Sequence, residues 1–140
     1  MNKLYIPVFL FFILSFLGCA SKYKTNKVKN QFRVASYNIR YDAEADVKSG
    51  NGWELRKEPL AKLIQTYKFD IVGTQEGDAK QLAALGKLLP EFEYIGYPYG
   101  GKSGEIHNCA TYYKKDLFVV LDSGVFWLSE TPDEPSIGWD

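Results

Sequence analysis

The chain has 140 residues with 17 Lys/Arg against 17 Asp/Glu, and 46% of it is hydrophobic, enough apolar material for a packed core and too much for a disordered segment. The charge is unevenly placed: six basic and no acidic residues precede Val34, so the remainder carries 11 Lys/Arg against 17 Asp/Glu, a formal net of −6. An acidic globular part argues against a protein that lives on non-specific phosphate contacts with nucleic acid, which requires a basic face.

In chain order, Lys3 is followed by an apolar run from Leu4 to Leu17 and then by Gly18-Cys19, the three-part layout of a secretory signal. The run is short for a membrane span, which takes about 20 apolar residues. Phe16-Leu17-Gly18-Cys19 resembles a bacterial lipobox. Residues 1–18 are therefore expected to be a lipoprotein signal peptide, with Cys19 as the lipidated first residue of the mature protein. That places the folded part in the cell envelope, held to the membrane by its N-terminal lipid. Residues 19–31 are polar, basic and without periodicity, as in a flexible tether leading to a domain over residues 32–140. With Cys19 so used, Cys109 has no partner in the chain and reads as a small buried hydrophobe in a strand.

Phe32 to Ile39 alternates and is rich in strand formers; Phe69 to Thr74 is an apolar run of the length of a buried strand. Between them Arg56 to Lys68 sets Leu60, Leu63, Ile64 and Tyr67 on one helical face, with Pro59 expected in the first turn. A strand, a helix and a strand of this size predict a crossover with parallel strands. Both C-terminal ends then lie on one sheet edge, where open α/β sheets place ligands. Asn38 and Glu76 would share that crevice, an amide beside a carboxylate, which is half of a phosphate-and-metal site.

Asp78 is expected to cap a helix with the stripe Leu82, Leu85, Leu88 and Leu89, stopped by Pro90. Phe92 to Tyr97 reads as a strand, and residues 98–104 as a turn-rich loop too rich in glycine to continue it. Asn108 to Tyr113 and Leu117 to Leu121 read as a hairpin around Lys114-Lys115-Asp116, with Val125 to Ser129 as a further strand. Residues 130–140 bring no cap or strand closure, and the strand count amounts to about half of a two-layered sandwich.

Taken in order, Ser36-Tyr37-Asn38-Ile39-Arg40, Trp53 with Arg56, Asp70 to Glu76, Gly104-Glu105, Tyr112 to Lys115 and Phe126 to Asp133 resemble the N-terminal half of the endonuclease/exonuclease/phosphatase family. The last stretch is most similar to secreted bacterial members. The resemblance implies a deoxyribonuclease I-like fold, a four-layered α/β sandwich of which only the N-terminal half is present. It implies hydrolysis of a phosphoric ester with Mg²⁺ or Mn²⁺, the ester being a lipid head group, a small phosphoester or a nucleic acid; separately, a monomer is expected. By the same resemblance Glu76 is the metal carboxylate and Asn38 helps hold the metal and the scissile phosphate. Glu105 corresponds to a Glu that fixes the catalytic histidine.

The family's downstream Asp-x-Asn pair and its closing Asp-His pair have no counterpart, so a fragment with little activity alone is expected. His107, the only histidine, reads as a strand residue near the mouth of the site, and Arg40 and Arg56 as ion-pair partners. Gly77 stands where the family carries a bulkier residue. The alternative is a non-catalytic envelope lipoprotein whose aromatic loops around Tyr97, Tyr99 and Trp139 bind a carbohydrate or a protein partner.

Overall fold

The computed structural model of the chain describes residues 31–100 and 107–138. Its elements are β1 (Val34–Asn38), α1 (Glu44–Lys48), α2 (Trp53–Tyr67), β2 (Ile71–Gly77), α3 (Ala79–Leu88), β3 (Phe92–Gly100) and β4 (His107–Lys114). The strands form one sheet in the order β1-β2-β4-β3. β1 and β2 are parallel, as the crossover requires, while β4 runs antiparallel to both β2 and β3. Every second residue of the two central strands points into the helices: Val72 and Thr74 from β2, Asn108, Ala110 and Tyr112 from β4.

These residues meet Leu60, Ala61 and Ile64 of α2 and Leu82 and Leu85 of α3, with Trp53, Leu89 and Phe92 completing the core. Each large apolar side chain buried there contributes roughly 1.5–3 kcal/mol. Tyr112 is fully buried, and its hydroxyl donates to the Leu82 carbonyl at 2.8 Å, so the one polar atom on that ring is satisfied and α3 is fixed to β4. α3 starts as its sequence dictates: the Asp78 carboxylate accepts from the Gln81 main chain while the Gln81 side chain returns a bond to Asp78, a capping box. α2 ends with Lys68 in the left-handed region at φ 54°, where its main-chain N–H reaches back to the helix. Asp70, fully buried before β2, accepts the Arg33 main-chain N–H at 2.8 Å and the Lys114 ammonium at 3.2 Å, which ties the start of β1 to the end of β4.

Several sequence expectations are corrected. The hairpin partner of β4 is β3 and not residues 117–121: β4 is an inner strand with both edges taken by β2 and β3, so the next segment finds no ladder to join. Residues 117–121 and 125–129 accordingly form no strand, and apart from half-buried Phe118 and Trp127 their apolar side chains stand exposed, Leu121 at 94%. β3 does not stop at Tyr97 but continues to Gly100, because an edge strand tolerates Pro98 and absorbs an irregularity between Pro98 and Gly100. α2 begins at Trp53, so Pro59 lies inside the helix and not in its first turn. Cys109 alternates out of the core onto the opposite sheet face and is exposed.

Candidate active site

The parallel ends of β1 and β2 meet as the sequence pattern requires. Asn38 Nδ2 donates to Glu76 Oε1 at 2.8 Å, and the Arg40 main-chain N–H donates to Asn38 Oδ1 at 2.8 Å. The amide is thus held from both ends and presents its nitrogen to the carboxylate, leaving the second carboxylate oxygen for another partner. Glu76 owes its position to a bulge: Thr74 faces Ala110 and Gly77 faces Asn108, so Gln75 and Glu76 stand opposite the single Cys109. Its φ is 66°, a left-handed conformation that glycine favours and glutamate does not. Backbone strain of this kind persists where surrounding structure enforces it, and it concentrates at functional sites.

Arg40 is also left-handed, at φ 55°, and the reason is a clamp that the sequence did not announce. The Arg56 guanidinium on α2 donates to the carbonyls of Ile39, Asn51, Arg40 and Tyr41, the last two at 3.4 Å. Buried Gln81 on α3 donates to the same Arg40 carbonyl at 3.0 Å. Two helices therefore fix the three residues that follow β1. Arg56 serves main-chain carbonyls in place of the expected ion pair, whereas Arg40 does pair, through two hydrogen bonds to Asp46 on α1. That bond holds the Asp46 carboxyl below its ordinary range and lifts Arg40 above its own. Gly77 also has a local cause: a Cβ there would lie 2.7 Å from Ile39 Cδ1 and 3.0 Å from Leu82 Cδ2.

Across β4 the crevice has an aromatic side. His107 stacks on Tyr41 with ring centroids 5.0 Å apart, and Tyr99 meets His107 edge-on at 6.1 Å. Arg40 lies over the Tyr41 ring at 5.5 Å. Partial burial raises the Tyr99 phenol above its ordinary value.

Of the residues singled out from sequence, Asn38 and Glu76 are in direct contact, and His107 packs within the aromatic group. Glu105 and Cys19 lie outside the described residues. Among the described residues no three His, Cys, Asp or Glu side chains group to hold a metal by themselves. The second carboxylate oxygen of Glu76, with Asn38 holding the first, nonetheless suits Mg²⁺, which keeps several waters and takes one or two carboxylates together with substrate phosphate.

The model of the endonuclease/exonuclease/phosphatase family matches residues 35–135. Among solved structures, the chain is similar to a mannosyl-6-phosphatase from Bacteroides thetaiotaomicron VPI-5482, with 41% identity and a TM-score of 0.73 over 79% of this chain and 41% of that one. It is also similar to a family protein from the same species, with 42% identity and a TM-score of 0.71 over 76% and 40% of the two chains. A third, from Bacteroides vulgatus, gives 39% identity and a TM-score of 0.68 over 78% and 41%. The chain thus spans about two fifths of the length of the structures it matches. No protein of curated function matches it.

Proposed function

Because the chain belongs to the endonuclease/exonuclease/phosphatase family, whose members hydrolyse phosphoesters, we propose that it carries the Asn38–Glu76 half of a Mg²⁺- or Mn²⁺-dependent site acting on a sugar phosphate. The observation that carries this reading is the 2.8 Å bond between Asn38 and a strained, bulge-positioned Glu76 at the parallel strand ends. The strain accompanies a bulge that turns the carboxylate toward Asn38. Glu76 would hold the cation, with Asn38 fixing the carboxylate and standing close enough to meet a phosphate oxygen. The cation, when bound, neutralises charge on the phosphoryl oxygens.

The choice of a sugar phosphate over a nucleic acid has two supports. One is the printed activity of the 41%-identical mannosyl-6-phosphatase. The other is the net charge of −6 beyond Arg33, which repels a polyanion. Hydrolysis also needs a base to prepare the attacking water. The only histidine, His107, is engaged with Tyr41 and Tyr99, so the 140-residue chain alone is expected to turn over slowly. Phosphate release from mannose 6-phosphate, measured with Mg²⁺ and with EDTA, tests the reading: release that requires Mg²⁺ and falls in Glu76→Gln supports it, and release that survives EDTA overturns it. We further propose that Cys19 carries the lipid of an envelope anchor, tested by palmitate labelling that Cys19→Ser abolishes.

A further inference from the structure

A second bulge mirrors the one at Glu76. On β3, Pro98 faces Asn108 and Gly100 faces His107, so Tyr99 is an extra residue with no partner on β4. The stretch His107–Cys109 of β4 is therefore flanked on one side by the bulge that carries Glu76 and on the other by the bulge that carries Tyr99. A bulge re-aims a side chain that regular alternation would send elsewhere. Here the two flank the same three residues of β4, and the Tyr99 ring meets His107, the first of them. The ring is held edge-on by His107, which is itself stacked on Tyr41, yet it remains 37% exposed.

From this geometry we infer that Tyr99 is a specificity-determining residue, a rigid aromatic wall beside Glu76 that receives the apolar C–H face of the sugar whose phosphate sits at Asn38 and Glu76. The inference rests on the phosphoester reading above and adds the part of the substrate that reading leaves open. A pyranose suits the wall because it offers a flat C–H face together with hydroxyls that stay wet. An aromatic ring presents large contact area and loses little conformational freedom on binding. His107 meets the ring edge-on, Tyr41 stacks on His107, and Arg40, held by Asp46, covers Tyr41.

The test is ligand-observed saturation-transfer NMR on the full 140-residue chain with Mg²⁺, using mannose 6-phosphate, glycerol 3-phosphate, methyl α-mannopyranoside and adenosine monophosphate. The expected result is transfer from protein aromatic protons to the pyranose ring protons of mannose 6-phosphate. Tyr99→Ala is expected to weaken its binding about fivefold to tenfold, Tyr99→Phe to preserve it, and glycerol 3-phosphate binding to be the same in all three proteins. Equal weakening of both phosphates in Tyr99→Ala, or a Tyr99→Phe defect as large as that of Tyr99→Ala, would overturn the wall and leave Tyr99 a structural prop for Glu76. Adenosine monophosphate bound more tightly than mannose 6-phosphate, and sensitive to Tyr99→Ala, would also overturn the assignment to a sugar. Absence of transfer in the wild-type chain overturns it whether or not the alanine variant folds. If methyl α-mannopyranoside binds as well as its phosphate and shares the sensitivity to Tyr99→Ala, the wall stands and the phosphoester reading falls.

Discussion

Replacing Glu76 by glycine and, separately, by alanine measures the strain stored at the site. Both variants remove the carboxylate and its bond to Asn38, so the comparison cancels those losses and isolates the backbone at φ 66°. A left-handed conformation costs a non-glycine residue about 1–2 kcal/mol. Glycine forfeits roughly 0.5–1 kcal/mol through its greater freedom in the unfolded chain. Subtracting one from the other leaves Glu76→Gly more stable than Glu76→Ala by about 0.75 kcal/mol at the midpoints of the two ranges. For a domain of this size that is roughly 3–6 °C in melting temperature. At an ordinary strand position the order is reversed, which makes the sign the informative quantity. Thermal and urea unfolding followed by circular dichroism report it. An alanine variant equal to or more stable than the glycine variant would refute the claim that the bulge holds Glu76 under strain.

Gly77→Ala is expected to destabilise the fold by about 1–2 kcal/mol, as overpacking does, because the new methyl would press on Ile39 and Leu82; urea midpoints of the two proteins check it. Asp78→Ala removes the capping box of α3 and should cost about 1 kcal/mol, measured the same way. Asp46 should titrate below the ordinary carboxylate range because the Arg40 guanidinium bonds its charged form. A folded pKa below the unfolded one means that the pair's stabilisation is complete above the unfolded pKa. It is lost as pH falls through the folded one. Carboxyl carbon NMR of Asp46 reports the midpoint, and Arg40→Met should return it toward the ordinary value.

The strand–helix–strand unit was legible because each part is a local pattern: alternation in β1, the Leu60-Ile64 face of α2, the Asp78 cap and the leucine stripe of α3. The Asn38–Glu76 pair followed from that unit, since parallel strands bring their ends together, and the structure places the two side chains in contact. What was not legible depends on neighbours distant in sequence. Residues 117–121 look like a strand, but β4 has no free edge to receive them. Cys109 sits in an apolar run, yet the register of β4 turns it away from the helices. The bulges at Glu76 and Tyr99 leave no local signature, because both arise from pairing with β4. The one available hint was chemical: Pro98 and Gly100 on either side of Tyr99 mark an edge strand with an irregularity as well as a loop.

The central claim, that Glu76 and Asn38 form a divalent-cation half-site, is tested most directly by adding substoichiometric Mn²⁺ to the ¹⁵N-labelled chain and recording amide line broadening. The expected result is selective broadening at Asn38 and at Gln75 to Gly77 that excess Mg²⁺ reverses and Glu76→Gln abolishes. Broadening centred instead on other acidic residues such as Asp122 or Asp133, or unchanged in Glu76→Gln, would contradict it.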